Sequence, residues 1–503
     1  AVTPDPAIPI SATTREIDKP PLTHAPASRC AVLVLAAGYG TRMRSRRAKL
    51  LHTVAGRPMI DNVLHCARVC DPAQLVVVVG HQAEQLREHL GGCENVSFAV
   101  QEALLGTGHA VGAGLPALAE EIAEVVVLFA DHPLITPEMV AAVVAEHRRS
   151  GAMVTMASCI HPTGGLHGRL TRDAAGRILR VTEARDAVGE VPGQKEINSG
   201  IHCFDRAWLA TALPRLTRQS NGEYYLTELV EMAAREGDHT GEAPWPVAAA
   251  EVDVNAAMGV NNRVELANAE RIARRWIAER HMLNGVTIVD PASTFIDFDV
   301  AIGQDTVIHP FSLLLGRTTV GADCTIGPGA HIRDSVVHDG ARVLDSTVEE
   351  SEIGPGTDIG PYSHLRPGAR VAGHVHIGNY VEIKNSTVGS GTAIGHVSYL
   401  GDATIGENVN IGAGVITSNF DGREKHRTVV GNGAFIGVNT ILRAPVEVGP
   451  GAYTGGGAFV NRDVPAGETV VGVPARPIVR KPRDDAQAAP DGAGAATDKM
   501  GKE

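Results

Sequence analysis

The sequence predicts an α/β domain with a mostly parallel sheet, then a connecting helix and a parallel β-helix built of hexapeptide repeats. Three observations carry that reading. From residue 302 to residue 411 an aliphatic side chain returns nearly every six positions, from Ile302, Ile308, Leu314 and Val320 through to Leu400, Ile405 and Ile411. Residues 31–262 instead alternate short apolar runs with helical segments. Between the two lies a charged amphipathic stretch, residues 263–284, that stops at Gly285.

The elements follow in chain order. Residues 1–30 are rich in Pro, Ala and Thr and lack a basic segment followed by an apolar one, so they read as a disordered leader and not a secretory signal. The runs at 31–35, 75–79 and 125–129 are continuous Val, Leu and Ala with one Phe, the pattern of strands buried on both faces. Helical patterning over 58–69 and 136–149 completes the alternation of a parallel sheet covered by helices, giving an α/β domain over 31–262. Residues 263–285 form the connecting helix, with Gly285 as its C-terminal stop. From 286 to 480 each hexad supplies one short strand, three strands close a coil, and the aliphatic side chain stacks inward on its equivalent one coil later. The glycine after many of these aliphatics, as in Ile302-Gly303, Ile353-Gly354 and Ile377-Gly378, is expected to give the corners their backbone freedom. The hexad breaks over 417–426, expected as a loop leaving the prism. Residues 481–503, mostly Ala, Gly, Asp and Lys, read as a disordered tail.

Composition narrows the function classes. The chain has 503 residues, enough for two or three domains. Aromatics are only 4 %, as expected for a core of stacked Val, Ile and Leu. A net charge of −12 argues against a general nucleic-acid binder and leaves room for local basic pockets. No apolar run approaches the ~18 residues of a membrane span, so no membrane partner is expected. Seven scattered cysteines, odd in number and without a CxxC pair, fit small buried hydrophobes in a reduced, cytoplasmic setting.

The strand at 31–35 runs directly into Gly38-Tyr39-Gly40-Thr41-Arg42-Met43, with Lys49 six residues on. Glycines after a buried strand let backbone N–H groups approach a phosphate, and Arg42 and Lys49 are placed to neutralise it. The string is neither a dinucleotide GxGxxG nor a Walker A. Asp131 follows the run at 125–129, and an aspartate at the C-terminal end of a parallel strand is where α/β folds place chemistry.

Taken whole, Leu35-Ala36-Ala37-Gly38-Tyr39-Gly40-Thr41-Arg42-Met43 with Lys49 resembles the nucleoside-diphosphate-sugar pyrophosphorylases, which carry a Rossmann-like nucleotidyltransferase domain. The continuation Leu51-His52-Thr53-Val54-Ala55-Gly56-Arg57-Pro58-Met59 is similar to their uridylyltransferase branch acting on N-acetylglucosamine 1-phosphate. The resemblance implies that Leu35, Ala36, Ala37, Gly38, Lys49, Gln101, Gly106 and Thr107 bind UTP, with the segment 101–110 reading uracil. It implies that Gly168, Glu183 and Asn198 contact the sugar, and that Asp131 and Asn261 bind Mg²⁺, Asn261 also lying on the nucleotide side. The implied chemistry is in-line attack of the sugar phosphate on the α-phosphorus of UTP, with Arg42, Lys49 and Mg²⁺ offsetting transition-state charge.

The repeat region is similar in turn to the acetyltransferase half of bifunctional uridylyltransferase/glucosamine-1-phosphate acetyltransferases, which is a left-handed parallel β-helix. The strings that carry the likeness are 365–368, 380–384, 396–402 and 408–414, and the resemblance spans about 31–465 in unbroken order. It implies that His396 is the base taking a proton from the amine, a task that suits imidazole. It implies that Arg366, Lys384, Tyr399, Asn410 and Lys425 bind glucosamine 1-phosphate, and that Ala413, Asn419, Phe420, Val438 and Gly456 line the acetyl-CoA channel.

Some positions depart from the pattern. Ala48 stands where proline is usual and Ala130 where glycine is usual. Val438 replaces a serine, Phe420 a tyrosine, and the ending around Gly472 lacks an arginine. Two readings therefore stay open. One is the bifunctional enzyme. The other is a sugar-1-phosphate nucleotidylyltransferase of different sugar specificity, whose β-helix is mainly a trimerisation scaffold. Either way the prism predicts a homotrimer closed by cyclic symmetry.

Overall fold

The computed structural model describes residues 29–478, except 39, 81–82, 163–166, 184–194, 239 and 241–242. Tyr39, the expected tail and most of the expected leader lie outside the described residues. The chain forms two compact units that divide between Ile277 and Ala278.

In the first unit, nine strands join in one sheet: β1 (Cys30–Ala36), β2 (Gln74–Val79), β3 (Val96–Val100), β4 (Glu124–Phe129), β5 (Val154–Ile160), β6 (Arg169–Arg172), β7 (Ile178–Thr182), β8 (Glu196–Asp205) and β9 (Val247–Glu251). The main path runs β9-β5-β8-β4-β1-β2-β3, and β6 and β7 form an antiparallel pair attached to β8. The expectation of a mostly parallel sheet holds around β1, which is parallel to both β2 and β4. The reversal is β8, antiparallel to β4 and to β5. All seven residues of β1 are buried, so this strand reads as an uninterrupted apolar run.

Helices α1 (Met59–Ala67), α2 (Ala83–Leu90), α3 (Thr107–Gly114), α4 (Pro137–Ser150), α5 (Arg206–Ala212) and α6 (Glu228–Glu236) accompany the sheet. Alternate residues of β1 face opposite layers. Val32 and Val34 share one core with Ile60 and Val63 of α1 and Val140 and Val143 of α4. Leu33 and Leu35 share the other with Val111 of α3 and Leu229 and Ala233 of α6. α4 shows why the sequence signals were readable: Thr136 caps its start by accepting from Met139 N at 3.4 Å, Pro137 opens it, and Gly151 ends it at φ 63°. The expected connecting helix is α7 (Arg263–Leu283). Asn262 caps it, its Oδ1 accepting from Val264 N and Glu265 N at 2.9 and 3.0 Å, and Gly285 follows its end at φ 91°.

The second unit is the expected coil of short parallel strands. Every aliphatic of the six-residue run falls on one of three ladders. Ile308, Ile326, Val343, Ile359, Ile377, Ile394 and Ile411 pair in succession. Leu314, Ile332, Val348, Leu365, Ile383 and Leu400 make the second ladder. Ile302, Val320, Val337, Ile353, Val371, Val388 and Ile405 make the third. All but Ile302 are buried. Where the second ladder continues as Thr417, its hydroxyl accepts from Gly401 N at 2.8 Å, so a buried polar atom is satisfied. The loop is narrower than expected: 416–418 is already a strand, the next strand is Thr428–Val430, and Phe420 bridges back to Lys425.

Several glycines after the aliphatics serve a different purpose from the one expected, whereas Gly327, after Ile326, has φ 86° and frees a corner as expected. Gly303, Gly354 and Gly406 do not have positive φ. A Cβ at Gly303 would instead stand 2.5 Å from Ala322 N, and one at Gly354 would stand 2.5 Å from Gly373 N. Adjacent coils come too close there for any side chain. Left-handed corners are formed by other glycines, such as Gly391, and by Asp334, Asp345, Asn385 and Asn408, whose short polar side chains tolerate that region. Gly354→Ala should therefore destabilise the β-helix by ~1–3 kcal/mol through backbone collision. Thermal unfolding checks this, and a melting curve identical to the parent's would contradict it.

Candidate active sites

The first site is assembled at the carboxyl ends of β1 and β4. β1 ends at Ala36, and the chain continues through Ala37 and Gly38 along the wall of a cavity of about 490 Å³. Leu35, Ala36, Ala37, Gly38, Lys49, Gln101, Gly106, Thr107, Asp131 and Glu183 all line it, as expected. A Cβ on Gly38 would meet nothing within 4 Å, so the backbone there borders open space that a ligand can fill.

Lys49 is the centre of this site. Its Nζ lies 2.6 Å from Asp131 Oδ2 and donates to Asn261 Oδ1 at 3.1 Å. Gly40 makes room for it, since a Cβ there would stand 2.7 Å from Lys49 Cβ, and its φ of 62° favours glycine as well. Burial pushes the Asp131 carboxyl up, but the Lys49 ammonium, with His132, outweighs this and holds it below the usual carboxylate range. A carboxylate and an amide oxygen thus converge on one cation. Among the described residues no group of three or more His, Cys, Asp or Glu is placed to hold a metal. The oxygen pair is hard-donor chemistry of the kind that would suit a Mg²⁺ ion.

The other residues expected on the nucleotide side are locked by their neighbours. Gln101 is buried, and its Nε2 donates to the Gly106 carbonyl at 3.1 Å and lies 3.0 Å from His109 Nδ1. Gly106 has φ 94° and packs so closely on Tyr224 that no Cβ fits. Thr107 Oγ1 accepts from Leu226 N at 3.0 Å. Among the residues expected to contact the sugar, Glu183 Oε1 accepts from Thr227 Oγ1 at 2.8 Å, and Asn198 N donates to the Gly168 carbonyl at 2.9 Å. Gly168, Asn198 and Asn261 are not part of the cavity wall; Asn261 joins it through Lys49. Arg42 is exposed on the one-turn helix Thr41–Met43 and has no ion-pair partner among the described residues. Ala130 is buried and donates to the Leu35 carbonyl at 3.0 Å, so this departure leaves the strand end intact. Glu223, Tyr225 and Phe129 also line the cavity and were missed. Nothing local marks Glu223 or Tyr225; they reach the cavity through the contact of 224 with 105–108.

The second site lies on successive coils of the β-helix. Leu365, Ile383 and Leu400 stack in register, which places Arg366 and Lys384 on neighbouring coils immediately after them. Arg366 Nη1 donates to Glu382 Oε1 at 2.7 Å, and Glu382 pairs in the ladder with Tyr399. Tyr399 lies over Gly401, where a Cβ would collide with its hydroxyl. His396 is exposed and pairs in register with Asn379. Asn410, Phe420 and Val438 are exposed, and Gly456 lies beside Val438. Ala413 is half-buried, and its carbonyl accepts from Asn439 N at 2.7 Å.

Sequence reading missed Asp402, which organises this site. Its carboxylate accepts from Asn385 Nδ2 at 2.6 Å and from Asn419 Nδ2 at 2.5 Å. Burial pushes the carboxyl up, but these two amides and the Lys384 and Lys425 ammonium groups together hold it low. Asn419 is therefore committed to Asp402 in this state. The available signal was Asp402 itself, closing the 396–402 string at a left-handed corner of φ 50°. Lys384 is pulled below the usual lysine range by the neighbouring Lys425 ammonium.

The fold and these cation clusters define the class: a transferase with a nucleotidyltransferase unit and a left-handed β-helix of hexapeptide repeats. Residues 32–195 match the MobA-like NTP transferase domain, and residues 299–334 match the bacterial transferase hexapeptide of six repeats. The chain is similar to the bifunctional protein GlmU of Geobacillus sp. (strain WCH70), 42 % identical over 86 % of this chain and 93 % of that protein. It is 44 % identical to the bifunctional protein GlmU of Pelobacter propionicus, over 88 % and 95 %. It is 43 % identical to that of Heliobacterium modesticaldum, over 87 % and 94 %. The chain belongs to the GlmU family of bifunctional proteins.

Lys425→Met should raise the Lys384 pKa, since the like charge that depresses it is removed. An NMR titration of the Lys384 ammonium in both proteins checks this, and an unshifted titration would refute the assigned cause.

Proposed function

We propose that this chain acetylates glucosamine 1-phosphate with acetyl-CoA, and transfers UMP from UTP to N-acetylglucosamine 1-phosphate to give UDP-N-acetylglucosamine and pyrophosphate. We assign uridylyl transfer to residues 31–262, acetyl transfer to 286–480, and the connection to 263–285. The observation that carries the reading is the convergence of Asp131 and Asn261 on Lys49 at a cavity walled by residues 35–38 and Gln101.

In the uridylyl-transfer site, Gln101 and the Gly106 backbone take the uracil edge, and Gly168, Glu183 and Asn198 take the sugar. Asp131 and Asn261 would hold Mg²⁺, which when bound supplies positive charge to the triphosphate. Lys49 and Arg42 stabilise charge on the phosphorus as the sugar phosphate oxygen attacks and pyrophosphate leaves. Lys49 is already desolvated, its side chain 9 % exposed, so little reorganisation accompanies that role.

In the acetyl-transfer site, Lys384, Lys425 and Arg366 hold the sugar phosphate, and Tyr399 and Asn410 orient the amino sugar. His396 takes the amine proton as nitrogen attacks the thioester carbonyl, and the CoA thiolate leaves. Ala413, Asn419, Phe420, Val438 and Gly456 form the acetyl-CoA side. We propose a homotrimer, because His396, Phe420 and Val438 lie on exposed coil faces that a second subunit can cover. No helix among the described residues is long and apolar enough to cross a membrane. We propose a cytoplasmic setting, which the absence of disulfides among the described cysteines supports.

A second reading rests on Val438 and Phe420, where the acetyl-CoA side offers no hydroxyl. It keeps a nucleotidylyltransferase of different sugar specificity on a β-helix scaffold. Assays for CoA release from glucosamine 1-phosphate with acetyl-CoA, and for pyrophosphate from N-acetylglucosamine 1-phosphate with UTP, separate the two. Turnover in both supports the bifunctional enzyme; pyrophosphate alone supports the scaffold. His396→Ala should lower acetyl transfer by roughly 10²–10⁴-fold and spare uridylyl transfer. Asp131→Asn should do the reverse, and loss of both activities from either change would contradict the assignment. Light scattering should give three times the chain mass; a monomer would sink the trimer.

A further inference from the structure

The segment that delivers Lys49 is gripped by a side chain with no role so far. Gln85, on α2, accepts from Ala48 N through Oε1 at 2.8 Å and donates from Nε2 to the Arg46 carbonyl at 3.1 Å. One amide therefore holds the backbone on both sides of Arg47. α2 is a firm base for it: Leu86 and Leu90 are buried in the core, and His89 Nε2 lies 2.9 Å from both carboxylate oxygens of Asp61 on α1. Ala48 is buried, and among the described residues Gln85 supplies the acceptor for its N–H. Ala48 also precedes Lys49 directly, and its carbonyl accepts from Leu51 N at 3.0 Å, closing the turn Lys49–Leu51. The loop before it is weakly tied, with Arg42, Arg44, Arg46 and Arg47 exposed and Arg44 at a positive φ of 49°.

We infer that Gln85 is a positioning residue for uridylyl transfer: its amide fixes the path of residues 46–48 so that the Lys49 ammonium arrives between Asp131 and Asn261. The inference rests on the uridylyltransferase reading proposed above. Ala48 has φ −54° and ψ 138°, values that proline adopts without strain. A proline at 48 supplies by covalent restraint what Gln85 supplies by hydrogen bonding. With Gln85 present it fails, because it has no N–H to donate and its ring would occupy the place of Oε1. The two solutions exclude each other, so their combination is diagnostic.

The test uses the full chain as wild type, Gln85→Ala, Ala48→Pro and the double variant. Pyrophosphate release from UTP and N-acetylglucosamine 1-phosphate is measured with Mg²⁺, and thermal melting reports folding. Each single change should lower kcat/KM for UTP about tenfold, the scale of a small misplacement of a charged group. The double variant should return to within about twofold of wild type. Gln85→Glu keeps an acceptor for Ala48 N and should retain more activity than Gln85→Ala. Wild-type turnover in Gln85→Ala, or a double variant no better than the poorer single one, overturns the inference. A wild-type chain that melts normally and releases no pyrophosphate overturns the uridylyltransferase reading and this inference with it.

Discussion

The ion pair between Lys49 and Asp131 is the interaction on which the nucleotidyltransferase unit turns. It brings a turn after β1, the end of β4 and Asn261, two residues before α7, to one point, across sequence separations of 82 and 212 residues. Each component is placed by something else. β1 and β4 are hydrogen-bonded neighbours, so their carboxyl ends emerge side by side. The Asp131 carbonyl accepts from Val260 N at 2.8 Å, which fixes the approach of Asn261. Asn261 N in turn donates to Glu265 Oε2 at 2.6 Å, anchoring that turn to the first turn of α7. A charge on Lys49 with no carboxylate opposite would be costly at this burial, and an unpaired Asp131 would shift toward the neutral acid. The pair therefore holds Asp131 in its ionised form despite its burial.

The β-helix obeys a different constraint, set by the spacing of stacked coils. Inward positions take Val, Ile or Leu, and glycine stands where backbones touch. Chemistry is left to outward positions and corners. Regular stacking repeats the same geometry coil after coil, so Arg366 and Lys384, on adjacent coils, meet the same side of the prism. The one long departure, between Ile405 and its ladder partner Val430, contributes Asn419 and Lys425. A rigid repeat thus supplies positions, and one irregular loop supplies what the repeat cannot.

Much of this was legible in the sequence because periodicity and strand-end motifs are local signals. The three ladders follow from six-residue spacing alone, and α4 and α7 carry their caps in the adjacent residues. What escaped reading depends on contacts between distant segments. Gln85 sits 37 residues from Ala48, and nothing around it marks it as a partner. Glu223 and Tyr225 enter the first cavity only because Gly108 N donates to the Tyr224 carbonyl. β8 was not anticipated as antiparallel, since an apolar strand carries no sign of its direction. The purpose of Gly303 and Gly354 was misjudged for a similar reason: sequence shows a missing Cβ, and only the neighbouring coil shows why it is missing.

The second site brings like charges near one another. The neighbouring Lys425 ammonium holds Lys384 below the usual lysine range. Two neighbouring ammonium groups are favourable only if an anion lies close by. Asp402 meets part of that need, but both of its oxygens are already engaged by Asn385 and Asn419. Its charge is thus spread over two amides and two cations. Arg366 differs, because its Nη1 already donates to Glu382 Oε1 at 2.7 Å, which balances its charge within the site and leaves its other N–H groups to point elsewhere.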